Sequence, residues 1–365
     1  MSTIKNTAKK VIEKIDKGMI CARARFSANN RRRFWRNFAS KNTEKQLLTQ
    51  EQKADVKAYY KPFCTTTTLF HSFYTEKTGE FCVNYIPDDV HSCKIDPYFN
   101  NWEEAEYVDN KCMYSNLFRN VTHAKNILWR SNGLWFNGNS APLSRAEVNA
   151  VLSEHSAVFL KVATSSHGGK GVFYITGENK EEDFWKRSSS ISNDLVVQEP
   201  IVQNKQLSRI NSSSVNTIRA LSVLHESGVK IYSCILRMGI NGAKVDNASS
   251  GGITCGIDSN GKLKKYAYTS SGTRFEEHPN SKISFEGFEI PSFEKLQELI
   301  PQLHCQIPHF RMVSWDIAIQ EDGEPVLVEA NLCNGELDFH QLNNGPLFGD
   351  DTQKILCEVF GKTKD

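Results

Sequence analysis

The chain has 365 residues, is 39% apolar and 24% charged, and carries a formal net charge of +2. That length holds two or three domains and a sizeable core, with the balance of a soluble globular protein. No stretch approaches about 18 apolar residues, no apolar run marks a secretory signal at the N-terminus, and the ten cysteines include no C-x-x-C pair, so a transmembrane helix, a leader, a zinc ribbon and a disulfide scaffold are not expected, and a reducing cytoplasm is.

Charge is placed unevenly. Residues 1–46 carry thirteen Lys or Arg against three acids, a net +10 that leaves −8 for the remainder. Within them, Arg31-Arg32-Arg33-Phe34-Trp35-Arg36 mixes basic and aromatic side chains. Such a stretch suits an anionic membrane surface or nucleic acid, and equally a solvated helix that Phe34 and Trp35 pack onto the body. Residues 1 to about 60 read as mostly helical and polar. Residues 81–87 predict a strand ending at Pro87, 96–107 are turn-rich, and 110–118 begin as a helix. Residues 142–153 predict a short amphipathic helix with Ser144 as N-cap and Glu147 three residues on.

Residues 157–163 form a nearly continuous apolar strand with Lys161 inside it, and a buried lysine needs an anionic partner. The loop 165–172, rich in glycine and hydroxyl residues, leads into a second strand, 172–176. Strand, glycine loop, strand makes a hairpin lid whose backbone N–H groups can approach phosphates, although many such loops are plain turns. It is not a Walker A loop, because no helix follows and the G-K-[ST] ending is missing. Residues 194–201 predict a strand that stops at Pro200, either to present backbone groups to an adenine edge or as a plain interdomain strand. Residues 216–224 and 229–237, joined by Glu226-Ser227-Gly228, place Thr217 and Arg219 on one face and Arg237 at the end of the second strand. Arginines inside neighbouring strands are good clamps for phosphate or carboxylate oxygens; the alternative is a pair of ordinary surface arginines. A second small-residue loop follows at 246–253, then an amphipathic helix at 293–304.

Residues 313–338 read as two strands and a tight turn. Val313, Trp315, Ile317 and Ile319 alternate with Ser314, Asp316 and Ala318, and Leu327, Glu329 and Asn331 share a face of the second strand. With Glu321-Asp322-Gly323-Glu324 as a four-residue turn, Gln320 pairs with Pro325 and Asp316 faces Glu329. Opposed side chains sit about 4.5–5.5 Å apart at Cβ, where two carboxylates repel on a half-buried sheet. A divalent cation relieves that repulsion, and hard oxygen ligands suit Mg²⁺ or Mn²⁺. The alternative is a solvent-facing acidic hairpin.

Together and in this order, these pieces resemble the ATP-grasp superfamily, and more closely its branch of sugar-transfer-associated ATP-grasp proteins. The resemblance covers residues from about 80 to 350. It is carried by Lys111 with Tyr114, Lys161 with the 165–172 loop, residues 196–201, and Ser214-Val215-Asn216-Thr217-Ile218-Arg219. It continues through Arg237, Asp246-Asn247 with Gly251-Gly252, and Asp316 with Glu329 and Asn331. It implies an α+β ATP-grasp fold in which two α+β lobes clasp ATP. The divisions expected are a basic helical segment over 1–60, a small N-terminal α/β domain over 61–140, one lobe over 141–200 and the metal-bearing lobe over 201–365. It implies Lys111 and Lys161 on the nucleotide phosphates, with Ser165, Gly168 and Gly169 in the lid and Gln198, Glu199, Pro200 and Ile201 as the adenine hinge. Arg219 and Arg237, with Asn247, would act at the γ-phosphate or the acceptor carboxylate. Asp316, Glu329 and Asn331 would hold one or two Mg²⁺. Asn110 stands where the pattern usually has Asp, no acid after the hinge is assigned to the ribose, and the resemblance does not extend to residues 1–60.

Enzymes of this superfamily mostly phosphorylate a carboxylate, after which an amine attacks the acyl phosphate. The expected activity is therefore an ATP- and Mg²⁺-dependent carboxylate–amine ligase. The branch suggests a hexuronic acid of a surface polysaccharide or its precursor as one substrate, and an amino acid or small amine as the other. Two rivals are a sugar or polyol kinase on the same fold and a non-catalytic nucleotide-binding partner of glycosyltransferases. The expected location is cytoplasmic, extended to the inner face of the membrane if the basic arm binds lipid. Nucleic acid is not an expected partner.

Overall fold

Among the described residues every strand lies between Asn126 and Asn331, and the segments on either side are helical. The structure, a computed structural model, describes residues 26–44, 48–164, 171–246, 251–333 and 335–362. It divides into one unit made of residues up to 97 together with those from 350, and a second spanning 98–349.

In the first unit, residues 26–42 are helical and contain no acidic residue. Arg36 Nε donates to Asp89 Oδ2 at 2.8 Å, Arg32 lies 3.9 Å from the same carboxylate, and Arg31 Nε donates to the Ser92 carbonyl at 3.1 Å. Phe38 packs edge-on against Phe73. Three of the five basic residues in this helix thus face the body of the unit, and the ring that packs there is Phe38, whereas Phe34, which the packed-helix reading set against the body, is exposed and touches Trp35. The next helix, Gln50–Tyr60, starts at a capping box between Thr49 and Gln52. Residues 81–87 are not a strand. This unit has no sheet among its described residues to pair with, and the segment turns instead, with Tyr85 N–H on the Cys82 carbonyl and the Tyr60 hydroxyl on the Tyr85 carbonyl at 2.6 Å.

The second unit holds two antiparallel sheets. The first contains β1 (Asn126–Ser131), β2 (Leu134–Asn137), β3 (Pro142–Leu143), β4 (Ala157–Val162), β5 (Val172–Thr176) and β6 (Leu195–Gln198), in the order β3-β2-β1-β6-β4-β5. The divisions expected at residues 60 and 140 differ from this arrangement, because β1 pairs with both β2 and β6 and so ties 126–137 to the sheet that carries Lys161. One face packs on the helices Arg145–Ser153 and Lys180–Ser189 through Val148, Leu152 and Phe184. The capping box of Ser144 and Glu147 forms as read. Phe159, Lys161, Val196 and Gln198 lie on the opposite face, since Phe159 pairs with Gln198 and Lys161 with Val196.

The second sheet comprises β7 (Ile218–His225), β8 (Gly228–Met238), β9 (Ile253–Ile257), β10 (Leu263–Tyr268), β11 (Arg274–Phe275), β12 (Met312–Ile319) and β13 (Pro325–Asn331). Its order is β11-β10-β9-β8-β7-β12-β13. The helix Phe293–His304 buries Leu296, Ile300 and Leu303 with Trp315 and Ile317 on one face. Period-2 alternation then sends Arg219, Arg237 and Asp316 to the other face. The helix Leu337–Asn344 packs across β8, β9 and β10, with Phe339 against Ile235.

Asn100 closes the open end of the β12–β13 hairpin. Its buried amide donates to the carbonyls of Met312 and Leu332, each at 2.6 Å, and accepts from Met312 N–H at 3.2 Å. Replacing it with Ala strands those backbone groups in a dry site. Asn100→Ala should therefore lower the unfolding free energy by about 2–4 kcal/mol, measured by chemical denaturation and as a melting temperature several degrees lower.

Candidate active site

The site is built on a carboxylate held by two arginines. Asp316 lies opposite Arg219 across β12 and β7. Arg219 Nε donates to Asp316 Oδ1 at 2.7 Å and its Nη2 to Oδ2 at 2.8 Å, while Arg237 Nη1 donates to Oδ2 at 2.7 Å. All three side chains are buried. Burial by itself would raise the Asp316 carboxyl, but Arg219 and Arg237 hold it far below the usual carboxylate range. Arg219 is in turn held above its ordinary value, against burial, by Asp316 and Glu336. Its remaining nitrogen, Nη1, donates to Glu336. Every guanidinium nitrogen of Arg219 is thus engaged by a carboxylate, and the residue does not line the cleft. Arg237 does line it, and its buried Nε has no hydrogen-bond partner among the described residues.

Asp316 faces Glu329 as the register reading required, by a different route. Ile319, not Gln320, pairs with Pro325, so the connection is the five residues 320–324, closed by Gln320 N–H on the Glu324 carbonyl at 2.9 Å. A β-bulge between the Ile317–Leu327 and Asp316–Glu329 pairs admits Val328 as an extra residue and restores the register. The bulge also separates Leu327 from the face of Glu329. Leu327 enters the core beneath the sheet, while Val328 and Glu329 both line the cleft.

Lys111 reaches this floor from a 3₁₀ turn whose position is set by its N–H on the Ala163 carbonyl at 3.0 Å. Its Nζ lies 2.7 Å from Glu329 Oε1. Burial would lower the ammonium's pKa, but Glu329 and Asp109 raise it above its usual value. The hydroxyl of Tyr114 accepts from Ala330 N–H at 2.9 Å, fixing the same turn beside Glu329.

Lys161 hangs from β4 above the floor. Among the described residues no carboxylate lies within ion-pairing distance of it; its Nζ sits 5.6 Å from the Phe159 ring. Burial, and then the ammonium of Lys111, push its pKa down to about 8. A cation in that environment is stabilised by an incoming anion. Gln198, next to it on β6, has a fixed amide orientation. Asn126 Nδ2 donates to the Lys111 carbonyl at 2.9 Å, which turns Asn126 Oδ1 toward Gln198 Nε2 at 2.8 Å. Gln198 Oε1 is left as a buried acceptor without a partner among the described residues. Glu199 and Ile201 line the cleft, Glu199 with its carboxylate on Lys125 at 2.7 Å, whereas Pro200 does not. The cleft between the two sheets measures about 430 Å³ and brings together Lys111, Lys161, Gln198, Arg237, Asp316 and Glu329. Ser165, Gly168, Gly169 and Asn247 lie outside the described residues.

Two side chains at the site were missed in the sequence. Glu336, whose backbone is left-handed at φ 58°, follows Gly335, where a Cβ would collide with the Ser314 hydroxyl. Asp338, two residues on, is buried, and burial followed by Glu336 pushes its carboxyl up to about 7. The acidic pattern around them was legible, but an irregular segment gives no periodicity from which to aim a side chain. Asp246, read as part of a small-residue loop and among the residues that carry the resemblance, accepts from the Thr217 N–H at 3.0 Å and from its hydroxyl, and walls the cleft beside Arg237.

The donor set fits a hard divalent cation. Asp316 spends three of its roughly four acceptor positions on arginines, and Glu329 one oxygen on Lys111. Asn331 donates its Nδ2 to the Ser314 carbonyl at 3.1 Å, which leaves Oδ1. Two carboxylates and an amide oxygen on adjacent strands suit Mg²⁺ or Mn²⁺. Among the described residues no group of three His, Cys, Asp or Glu is placed to bind a metal.

A family model described as sugar-transfer associated ATP-grasp matches residues 92–355. No curated protein sequence matches the chain. Among solved structures, it is similar to an N5-carboxyaminoimidazole synthetase from Staphylococcus aureus complexed with ADP, at 6% identity and TM-score 0.44, over 73% of this chain and 55% of that one. It is similar to the VanG D-Ala:D-Ser ligase from Enterococcus faecalis at 10% identity and TM-score 0.41, over 69% and 61%. With the ATP-grasp ligase PsnB, complexed with its minimal precursor, it shares 13% identity at TM-score 0.42, over 71% and 64%. The chain thus spans between 55% and 64% of the length of these structures.

Removing the charge of Asp316 leaves two buried guanidinium groups without their shared partner. Asp316→Asn should lower stability by about 3–5 kcal/mol, whereas Glu329→Gln, which takes the charged partner from one buried ammonium, that of Lys111, and leaves it an amide oxygen, should lower it by less, about 1–3 kcal/mol. Urea titration of the two variants checks the contrast.

Proposed function

This chain belongs to the sugar-transfer-associated ATP-grasp family, and from that premise we propose that it is an ATP- and Mg²⁺-dependent carboxylate–amine ligase working through an acyl phosphate. The observation that carries the reading is the pairing within one cleft of an uncompensated Lys161 on the upper sheet with the arginine-held Asp316 and Glu329 below it. Phosphoryl transfer asks a protein for position and charge neutralisation rather than for a covalent group, and these residues supply both.

In this reading Lys161 and Lys111 hold phosphate oxygens, and Gln198 Oε1 accepts from the exocyclic amine of adenine while the backbone of 199–201 meets the ring edge. Asp316, Glu329 and Asn331 would hold Mg²⁺, which would supply neutralisation of phosphate charge. Arg237 contacts the transferring group or the acceptor carboxylate with the nitrogens not committed to Asp316. Arg219 acts through Asp316, whose orientation it fixes. An oxygen of the acceptor carboxylate attacks the γ-phosphorus and ADP leaves. An amine then attacks the acyl carbon and expels inorganic phosphate. The substrates proposed are a hexuronic acid of a surface polysaccharide or its precursor, and an amino acid or small amine; the sugar-transfer description of the family supports the first. The location proposed is the cytoplasm, at the inner face of a membrane, supported by the basic composition of residues 1–46. Among the described residues no helix is long and apolar enough to cross a membrane.

Three outcomes are expected. With Mg-ATP and a panel of uronic acids, ADP release should depend on the acid, and hydroxylamine added in place of the amine should yield a hydroxamate detectable by mass spectrometry. A phosphorylated sugar hydroxyl would instead make the protein a kinase. Glu329→Gln should cut turnover at least about 100-fold at ordinary Mg²⁺ while the protein stays folded.

The third expectation concerns pH. Lys161 is charged below about 8 and loses its proton above that. ATP affinity measured by calorimetry should therefore weaken as pH rises from about 7 to 9. Lys161→Met should weaken it by about 1.5–3 kcal/mol at neutral pH and flatten that pH dependence. An unchanged affinity in Lys161→Met would make the residue structural.

A further inference from the structure

The helix 26–42 has an inner side spent on the protein and an outer side with no acid on it. Inward, Arg31, Arg32 and Arg36 are held by the Ser92 carbonyl and Asp89. Outward, at the i, i+4, i+7 and i+8 spacing of one helical face, stand Phe26, Asn30, Arg33, Phe34, Asn37 and Lys41. Phe26 is 68% exposed and Phe34 60%. Arg33 and Lys41 have no ion-pair partner among the described residues, and no acidic residue occurs anywhere in the helix.

We propose that this outward face of helix 26–42 docks on an anionic lipid surface, Phe26 and Phe34 entering the headgroup boundary and Arg33 and Lys41 meeting lipid phosphates. The proposal rests on the membrane location given above but not on the reaction. Two large apolar rings about 12 Å apart on a helix, at 1.5 Å per residue, are costly in water and favourable at the boundary of headgroup and acyl chain. Uncompensated cations beside them add attraction to a negative surface. A second copy of the chain fits less well. A two-fold contact through this face would oppose Arg33 and Lys41 to their own copies with no acid between. Nucleic acid would engage the cations and leave both rings in water.

The test is co-sedimentation of the full chain with vesicles of phosphatidylcholine alone and of phosphatidylcholine mixed with phosphatidylglycerol. Binding is expected to the mixed vesicles only, and to fall as salt rises from about 0.05 to 0.5 M. Arg33→Glu combined with Lys41→Glu should weaken it at least about tenfold, and Phe34→Ser several-fold. The melting temperature of the double charge variant should not change, because neither Arg33 nor Lys41 has an ion-pair partner among the described residues; Phe34→Ser also loses the edge contact of Phe34 on Trp35, so the charge variant carries the test. This separates the face from a deletion of residues 1–46, which would bare Asp89. No binding to mixed vesicles at low salt would overturn both the face and the membrane location. Binding that the double variant retains would overturn the face and leave the location to other residues. A dimer lost in the variants, or a preference for duplex nucleic acid over vesicles, would assign the face to another partner and overturn the proposal.

Discussion

A buried carboxylate shared by two buried guanidinium groups is the interaction on which the site depends. Asp316 is affordable inside the sheet only because Arg219 and Arg237 complete its hydrogen bonds from two strands. The arginines are acceptable there only because of Asp316 and Glu336. Each member would be costly without the others, so the group fixes the relative positions of β7, β8 and β12. It also sets the angle at which Asp316 presents its last acceptor position to the cleft. The neighbouring strand brings Glu329 alongside, and Lys111 occupies one of its oxygens.

The two walls of the cleft differ in how their charge is balanced. On the floor, acids and bases are matched within hydrogen-bonding distance. On the upper sheet, Lys161 faces the same space with no carboxylate near enough to pair among the described residues, and burial followed by the Lys111 ammonium lowers its pKa. A nucleotide triphosphate with its cation fits such a division, because the phosphates complement the upper wall and the metal the lower one. Arg219 and Arg237 also separate into two roles that residue type alone does not distinguish. Arg219 is saturated by carboxylates and orients Asp316, while Arg237 lines the cleft with Asp246 3.8 Å from its Nη2 and keeps a buried Nε without a partner among the described residues.

Much of the fold was legible in the sequence, as were several of the residues that share the cleft, for identifiable reasons. Trp315 and Ile317 alternate with Asp316, and a strand's period of two aims them at opposite faces whatever the exact turn. The helix Phe293–His304 was readable from its apolar spacing, and the one starting after Ser144 from its capping box. The β12–β13 turn was misread by one residue, and a bulge at Val328 shifted the register back by one, so the Asp316–Glu329 pairing was right although Gln320–Pro325 was not. Bulges leave no mark in an alternating pattern. The strand expected at 81–87 failed because strand propensity needs a neighbour to pair with, and that unit has no sheet among its described residues. Glu336 was invisible because its placement depends on a left-handed backbone after Gly335. The pairing of Asp316 with Arg219 and Arg237 left no mark in the sequence, because it depends on β7 lying between β8 and β12.

The central claim is that a carboxylate oxygen is joined to the γ-phosphorus of ATP in this cleft. It is tested most directly with the acid that stimulates ADP release, labelled with oxygen-18 in its carboxyl group and turned over with ATP and an amine. The account predicts that the inorganic phosphate released carries one labelled oxygen per turnover, read by mass spectrometry or by the isotope shift of its phosphorus resonance. Unlabelled phosphate with the amide as product, or the label retained in a phosphorylated sugar, would contradict it.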